Sequence, residues 1–306
     1  MNVALSSASA RPKYTLSSSS SSNLKSNSKY RPAVILPGLG NNSGDYKKLE
    51  ATLNDKYGVS TFVADVSRLD WLRNAAGLVD PNYWRGTLQP TPVLQWYLNR
   101  VHDAVQKAEE EQVSLIGHSA GGWLGRLYIQ QYGSSHVSLL LSLGTPHLPP
   151  PKADGVFDQT RGLLRYVHQH CPPPVYTPHL KYVCIAGRYI QGAPLFAKSI
   201  PDDEEYEAAA ASILNTTTTT APITTSPPIS TITLRARFVG QGYKQVCGKA
   251  DVWGDGIVPE ASAHLEGALN ISLDGVYHSP VGSDDVLRPW YGSPAVLEQW
   301  VEHLLN

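Results

Sequence analysis

One serine sits where few side chains fit. Gly117-His118-Ser119-Ala120-Gly121 follows an apolar run, Val113 to Gly117, and precedes a segment that reads as a helix, Ala120 to Tyr132. A serine between a buried strand and a helix can ride a turn so tight that its hydroxyl points outward, beyond the carboxyl end of the strand. Such a turn leaves no room for side chains two residues before and two residues after the serine, and Gly117 and Gly121 hold those places. The pattern is that of a nucleophile elbow.

A serine hydroxyl is a weak nucleophile at neutral pH. It needs a base within hydrogen-bond reach, and the base needs an acid to orient it. On an open parallel sheet these follow in the order Ser, acid, His. Downstream, Gly254-Asp255-Gly256-Ile257-Val258-Pro259 puts an acid in a glycine-bounded loop, and Val276-Tyr277-His278-Ser279-Pro280 puts an imidazole just after a strand-like run. The expected set is therefore Ser119, Asp255 and His278. Asp251 stands as the alternative acid; Asp274 lies too near His278 along one segment. His118 reads as a hydrogen-bonded structural residue. His147 ends a neighbouring strand and is expected near the cleft, but it precedes the acid. His264 and His303 fall in segments that read as surface helices. Attack on a carbonyl creates an oxyanion, which calls for two N–H donors. Ala120, just after the serine, supplies one, and Leu39 in the glycine-rich loop Pro37 to Asn42 is assigned the other.

These residues need a scaffold. Short β-branched or apolar runs at Arg31–Gly38, Ser60–Val66, Val113–Gly117, Val137–Leu143, Tyr182–Ala186 and Ala268–Leu273 read as strands. Helical patterns fall at Asp45–Lys56, Val93–Gln112, Ala120–Tyr132 and, closing the chain, Val296–Leu305. Alternation of the two implies α/β architecture, a mostly parallel central sheet with helices on both faces. Arg68 to Pro92 shows little periodicity but carries Trp71, Tyr83 and Trp84, which suit either a pocket wall or packing against the sheet.

Composition narrows the class. Of 306 residues, 42% are hydrophobic and 17% charged, and the net charge is -1, so no global field favours nucleic acid. No apolar run is long enough for a membrane helix. Cys171, Cys184 and Cys247 are odd in number and widely spaced, and suggest neither a disulfide framework nor a zinc site. Residues 1–30 are serine-rich and basic, with no acidic residue before Asp45. That is the composition of a transit peptide, so a plastid (chloroplast) location is expected, with a cytoplasmic one as the alternative. Residues 31–306 form the expected folded domain. Within it, residues 201–231 carry acidic, alanine and threonine runs that cannot build a core and read as a disordered insertion.

The stretches VILPGLGNN, SLIGHSAGGWLGRLY, LSLGTPH, GDGIVP and VYHSP, in that order, resemble the serine α/β-hydrolases. Within them they resemble the lipase/esterase-like group that includes GPI inositol-deacylase-like proteins; DWLRNAAGL and YWRGTLQPTPVLQWYL resemble plant and cyanobacterial hydrolases of this type. The resemblance implies hydrolysis of an ester, thioester or related acyl bond with no metal or organic cofactor. Ser119 would be the nucleophile, Asp255 the acid, His278 the base, and Leu39 and Ala120 the oxyanion donors. Where many relatives have His-Gly in the first loop, this chain has Pro37-Gly38. The expected substrate is a small-molecule or lipid-like acyl ester. An acyltransferase, or a binding protein on the same fold, is the alternative.

Overall fold

The structure, a computed structural model, describes residues 29–108, 112–171, 179–195 and 233–306. Residues 1–28 of the serine-rich segment and the 201–231 insertion lie outside the described residues.

Six strands form one parallel sheet: β1 (Ala33–Leu36), β2 (Thr61–Val63), β3 (Val113–His118), β4 (Val137–Leu143), β5 (Lys181–Arg188) and β8 (Leu269–Asp274). Their spatial order is β2-β1-β3-β4-β5-β8. A separate antiparallel pair joins β6 (Ile190–Gln191) to β7 (Trp253–Gly254). This is the α/β-hydrolase architecture, with the serine loop leaving a central strand. The inner strands β1, β3 and β4 are buried on both faces, which is why they read as continuous apolar runs rather than as alternating ones. The period of two still sorts them. Val34, Leu36 and Leu115 face one core with helices α3 (Gln95–Lys107), α4 (Ala120–Tyr132) and α5 (Leu163–His170). Ala33, Ile35 and Ile116 face the other, with α1 (Lys47–Asp55) and the carboxyl-terminal segment.

The sequence reading departs from the structure in a few places. The expected closing helix Val296–Leu305 is instead a short helix, Pro294–Leu297, and a 3-10 turn, Val301–Leu304. Trp300, between them, is fully buried and donates its indole N–H to the Tyr291 carbonyl at 2.9 Å. Seating that ring in the core overrides the helical pattern. The Arg68–Pro92 excursion winds into a 3-10 segment, Leu69–Val79, and a short helix, Pro81–Arg85, closed by Gly86 in the left-handed region. Helix Leu234–Cys247 gives little sequence signal because only Gly240 and Tyr243 of it are buried. His264 lies just past the short helix Glu260–Ala263 rather than inside one.

Candidate active site

Ser119 adopts φ 53° and ψ -124°, a region that non-glycine residues avoid at a cost of about 1–3 kcal/mol. The surrounding structure holds it there. Its N–H donates to the Leu143 carbonyl at 2.9 Å, and its carbonyl accepts from the Thr145 hydroxyl at 2.7 Å. The flanking glycines are forced by contact. A Cβ on Gly117 would lie 2.4 Å from the Gly122 Cα, and one on Gly121 would lie 2.2 Å from the Leu36 carbonyl oxygen. A third glycine is equally constrained, since a Cβ on Gly122 would meet the Thr145 hydroxyl oxygen at 2.1 Å. The turn thus packs backbone on backbone at Gly117 and Gly121, and backbone on the Thr145 side chain at Gly122.

The three expected side chains meet. His278, in the loop after β8, places Nε2 3.0 Å from the Ser119 Oγ and Nδ1 2.7 Å from an oxygen of Asp255. Asp255 follows β7 and is 1% exposed; His278 is 6% exposed. The Asp255 carboxylate accepts from every side: Oδ1 from the N–H groups of Ile257 and Val258, Oδ2 from the Tyr291 hydroxyl at 2.8 Å as well as from His278. A carboxylate only accepts, so the imidazole carries its proton on Nδ1 and leaves Nε2 free to take one from the serine. The Tyr291 hydroxyl in turn accepts the Gly187 N–H at 2.9 Å. Nothing in the sequence pointed to Tyr291, a tyrosine that reads as core.

A second relay runs behind the elbow. The Gly38 N–H donates to the Tyr46 hydroxyl at 2.9 Å, and that hydroxyl donates to His118 Nδ1 at 2.7 Å. His118 Nε2 then donates to the His278 carbonyl at 2.9 Å. His118 is therefore the hydrogen-bonded structural residue expected of it. Burial, followed by repulsion from His278, holds its pKa down to about 3, so it stays neutral. Gly38 also abuts the elbow: a Cβ there would lie 2.8 Å from the Ser119 Cβ.

The rival groups stand elsewhere. Asp251 is exposed. Asp274 pairs with Arg188 at 3.4 Å on the surface. His147 does not line the cleft as expected; it is wholly buried, with Nε2 2.9 Å from the Ser142 hydroxyl. Burial pushes its pKa well below the ordinary value.

These two histidines carry a stability prediction. Unfolding releases them to an ordinary pKa of about 6.5, while the folded values lie far lower. Below about pH 6.5 the unfolded chain binds protons that the native one refuses, so stability falls with falling pH, by about 1.4 kcal/mol per unit for each histidine. Urea unfolding between pH 7.5 and 5 should show this slope, with an uptake near two protons from the pair, on top of any other titrating groups.

Above Ser119 lies a cavity of about 500 Å³. Leu39 and Ala120 line it beside the serine. Ala120 opens α4, so its N–H has no partner within the helix. The Arg68–Pro92 excursion supplies Trp71, Leu78, Tyr83 and Leu88 to one wall. Trp71 serves both expected roles: it lines the cavity, packs into the core and donates its indole N–H to the Asn41 carbonyl at 2.8 Å. Trp123, Leu124, Leu163 and Leu164 close the apolar interior. Among the described residues, no helix is long and apolar enough to cross a membrane.

Residues 89–168 match the family model of the PGAP1-like alpha/beta domain. That segment runs from α3 through the elbow to α5. GPI inositol-deacylases from two strains of Cryptococcus neoformans var. neoformans serotype D, B-3501A and JEC21, are each 36% identical over 66 residues, 21% of this chain. The match takes in only 9% and 8% of the length of those relatives. Among solved structures, the mature Bacillus licheniformis lipase BlEst2 aligns at 15% identity and a TM-score of 0.45, over 91% of this chain and 93% of that one. A CIB-like hydrolase from Thermoplasma acidophilum aligns at 11% identity and a TM-score of 0.38, over 91% of this chain and 86% of that one. The strand order of the parallel sheet is that of an α/β-hydrolase fold, and residues 89–168 are similar to the PGAP1-like alpha/beta domain.

Proposed function

We propose that the chain hydrolyses carboxylic esters through an acyl-enzyme on Ser119. The observation that carries this is the contact of His278 Nε2 with the Ser119 Oγ at 3.0 Å while Nδ1 is held by Asp255 at 2.7 Å. His278 takes the hydroxyl proton as Oγ attacks the acyl carbon. The tetrahedral oxyanion is received by the N–H groups of Ala120 and Leu39. His278 returns the proton to the leaving alkoxide as the carbon–oxygen bond breaks. Water, deprotonated by the same imidazole, then attacks the acyl-enzyme, frees the acid and restores Ser119. Asp255 keeps the ring in the productive tautomer and offsets the imidazolium charge. The apolar interior of the cavity favours a lipid-like acyl chain.

The test is a chain-length series of p-nitrophenyl esters with matching thioesters, alongside a fluorophosphonate probe. The wild-type protein should label covalently and turn over esters; Ser119→Ala should do neither. Labelling that persists in Ser119→Ala, or a wild type inert to the whole series, sinks the reading. Added alcohol acceptors would divert product to a new ester if the protein is an acyltransferase.

A further inference from the structure

Two of the residues lining the cavity carry a charge, Asp158 and Arg161, and the loop treats them very differently. Asp158 spends its carboxylate on its own turn. Oδ1 accepts the Thr160 N–H at 2.9 Å and the Thr160 hydroxyl at 2.7 Å; Oδ2 accepts the Gly162 N–H at 3.0 Å. Arg161 has no carboxylate or other acceptor on its guanidinium among the described residues. Yet the group is fixed. It lies 4.0 Å from the ring centre of Phe157 and 4.6 Å from that of Tyr83, which itself lines the cavity.

The backbone is fixed too, at a cost. Arg161 sits at φ 54°, a left-handed conformation that a long side chain adopts only when its surroundings impose it. Its N–H donates to the Asp158 carbonyl at 3.1 Å, and its carbonyl accepts from Leu88 at 2.9 Å. A loop that only had to close this wall could place any residue here in a relaxed conformation. This one holds a permanent cation, its N–H donors without an acceptor among the described residues, on the wall of an apolar chamber. Rings that hold a guanidinium reduce the entropy it loses on binding, and its planar fork matches two oxygens of a carboxylate or phosphate.

We propose that Arg161 recognises an anionic group on the substrate, so that the ester cleaved at Ser119 belongs to a molecule that also carries a phosphate or carboxylate. The proposal rests on the ester-hydrolase reading above. The anion stands either at the far end of the acyl chain or on the alcohol that leaves.

Two matched pairs separate these sources. One compares a decanoyl p-nitrophenyl ester with the equally long ester ending in a free carboxylate. The other compares a monoacylglycerol with its phosphate ester. In at least one pair the wild type should favour the anionic member in kcat/KM by about ten- to a hundredfold, as a charged hydrogen-bonding partner would give. The difference should lie mainly in KM. Arg161→Gln should bring that ratio to within about twofold of one, and Arg161→Lys should restore part of it, because the charge returns without the fork. No preference in either pair overturns the proposal. A preference that Arg161→Gln leaves intact also overturns it, and reduces Arg161 to a clamp between Phe157 and Tyr83.

Should Arg161→Gln fail to fold, dodecyl phosphate and dodecanol serve as ligands. At least tenfold tighter binding of the phosphate supports the site, and equal binding removes it. Measured on the Ser119→Ala protein, this comparison needs no turnover, so it stands apart from failure of the ester chemistry.

Discussion

Ser119→Ala and His278→Ala are each expected to lower kcat on a p-nitrophenyl ester by about a millionfold, and the double variant by no more. The reason lies in a single proton. Oγ becomes nucleophilic only as Nε2, 3.0 Å away, removes its hydrogen. Without the imidazole the hydroxyl is inert, and without the hydroxyl the imidazole has nothing to activate. The two act as one unit, so their losses do not add. Residual rate above water would come from the N–H donors and from substrate binding. Single-turnover and steady-state rates on the three variants, with thermal melts to show that each is folded, check this. Losses that multiply in the double variant would mean the two groups work separately, and the proposed cycle would be wrong.

Asp255→Asn is expected to cost about ten-thousandfold in kcat while the fold survives. The amide can keep its oxygen on the N–H groups of Ile257 and Val258, which now donate to Oδ1. Its nitrogen then faces His278 Nδ1. An NH2 group donates, so Nδ1 must accept, and the ring proton moves to Nε2. That puts a hydrogen where the serine needs a lone pair. Asp255→Ala differs in kind. It strips four donors of their acceptor in a buried site, at about 1–3 kcal/mol for each one left unpaired, and should depress the melting temperature sharply. A loss below a hundredfold in Asp255→Asn, with the melt unchanged, would move the acid to another residue.

The tight turn at Ser119 was legible because its cause is local. Gly117 and Gly121 stand two residues either side of Ser119, and the steric reason for each is backbone within the same turn or the adjoining strand. Asp255 and His278 were legible from chain order and from the loops that hold them. The supporting groups were not. Tyr46 is 72 residues from His118 and Tyr291 is 36 residues from Asp255, and each reads as an ordinary core aromatic. No spacing rule links them; only the folded sheet brings them together. The same holds for Arg161, whose significance is a guanidinium with no acceptor among the described residues and an unusual φ, neither of which a sequence displays. The closing segment misled for the opposite reason. Its helical period is real, but anchoring Trp300 in the core outweighs the few tenths of a kcal/mol per residue that helix propensity supplies.

The chain of bonds from Gly38 through Tyr46 and His118 to the His278 carbonyl is a crossbar between two loops that meet at the serine. One loop carries Leu39, the proposed oxyanion donor, and the other carries His278, the proposed base. They cannot drift apart independently while the crossbar holds, so a lesion at Tyr46 counts as two faults at once. A change of specificity is thereby pushed onto cavity-lining residues outside the crossbar, such as Tyr83 and Arg161.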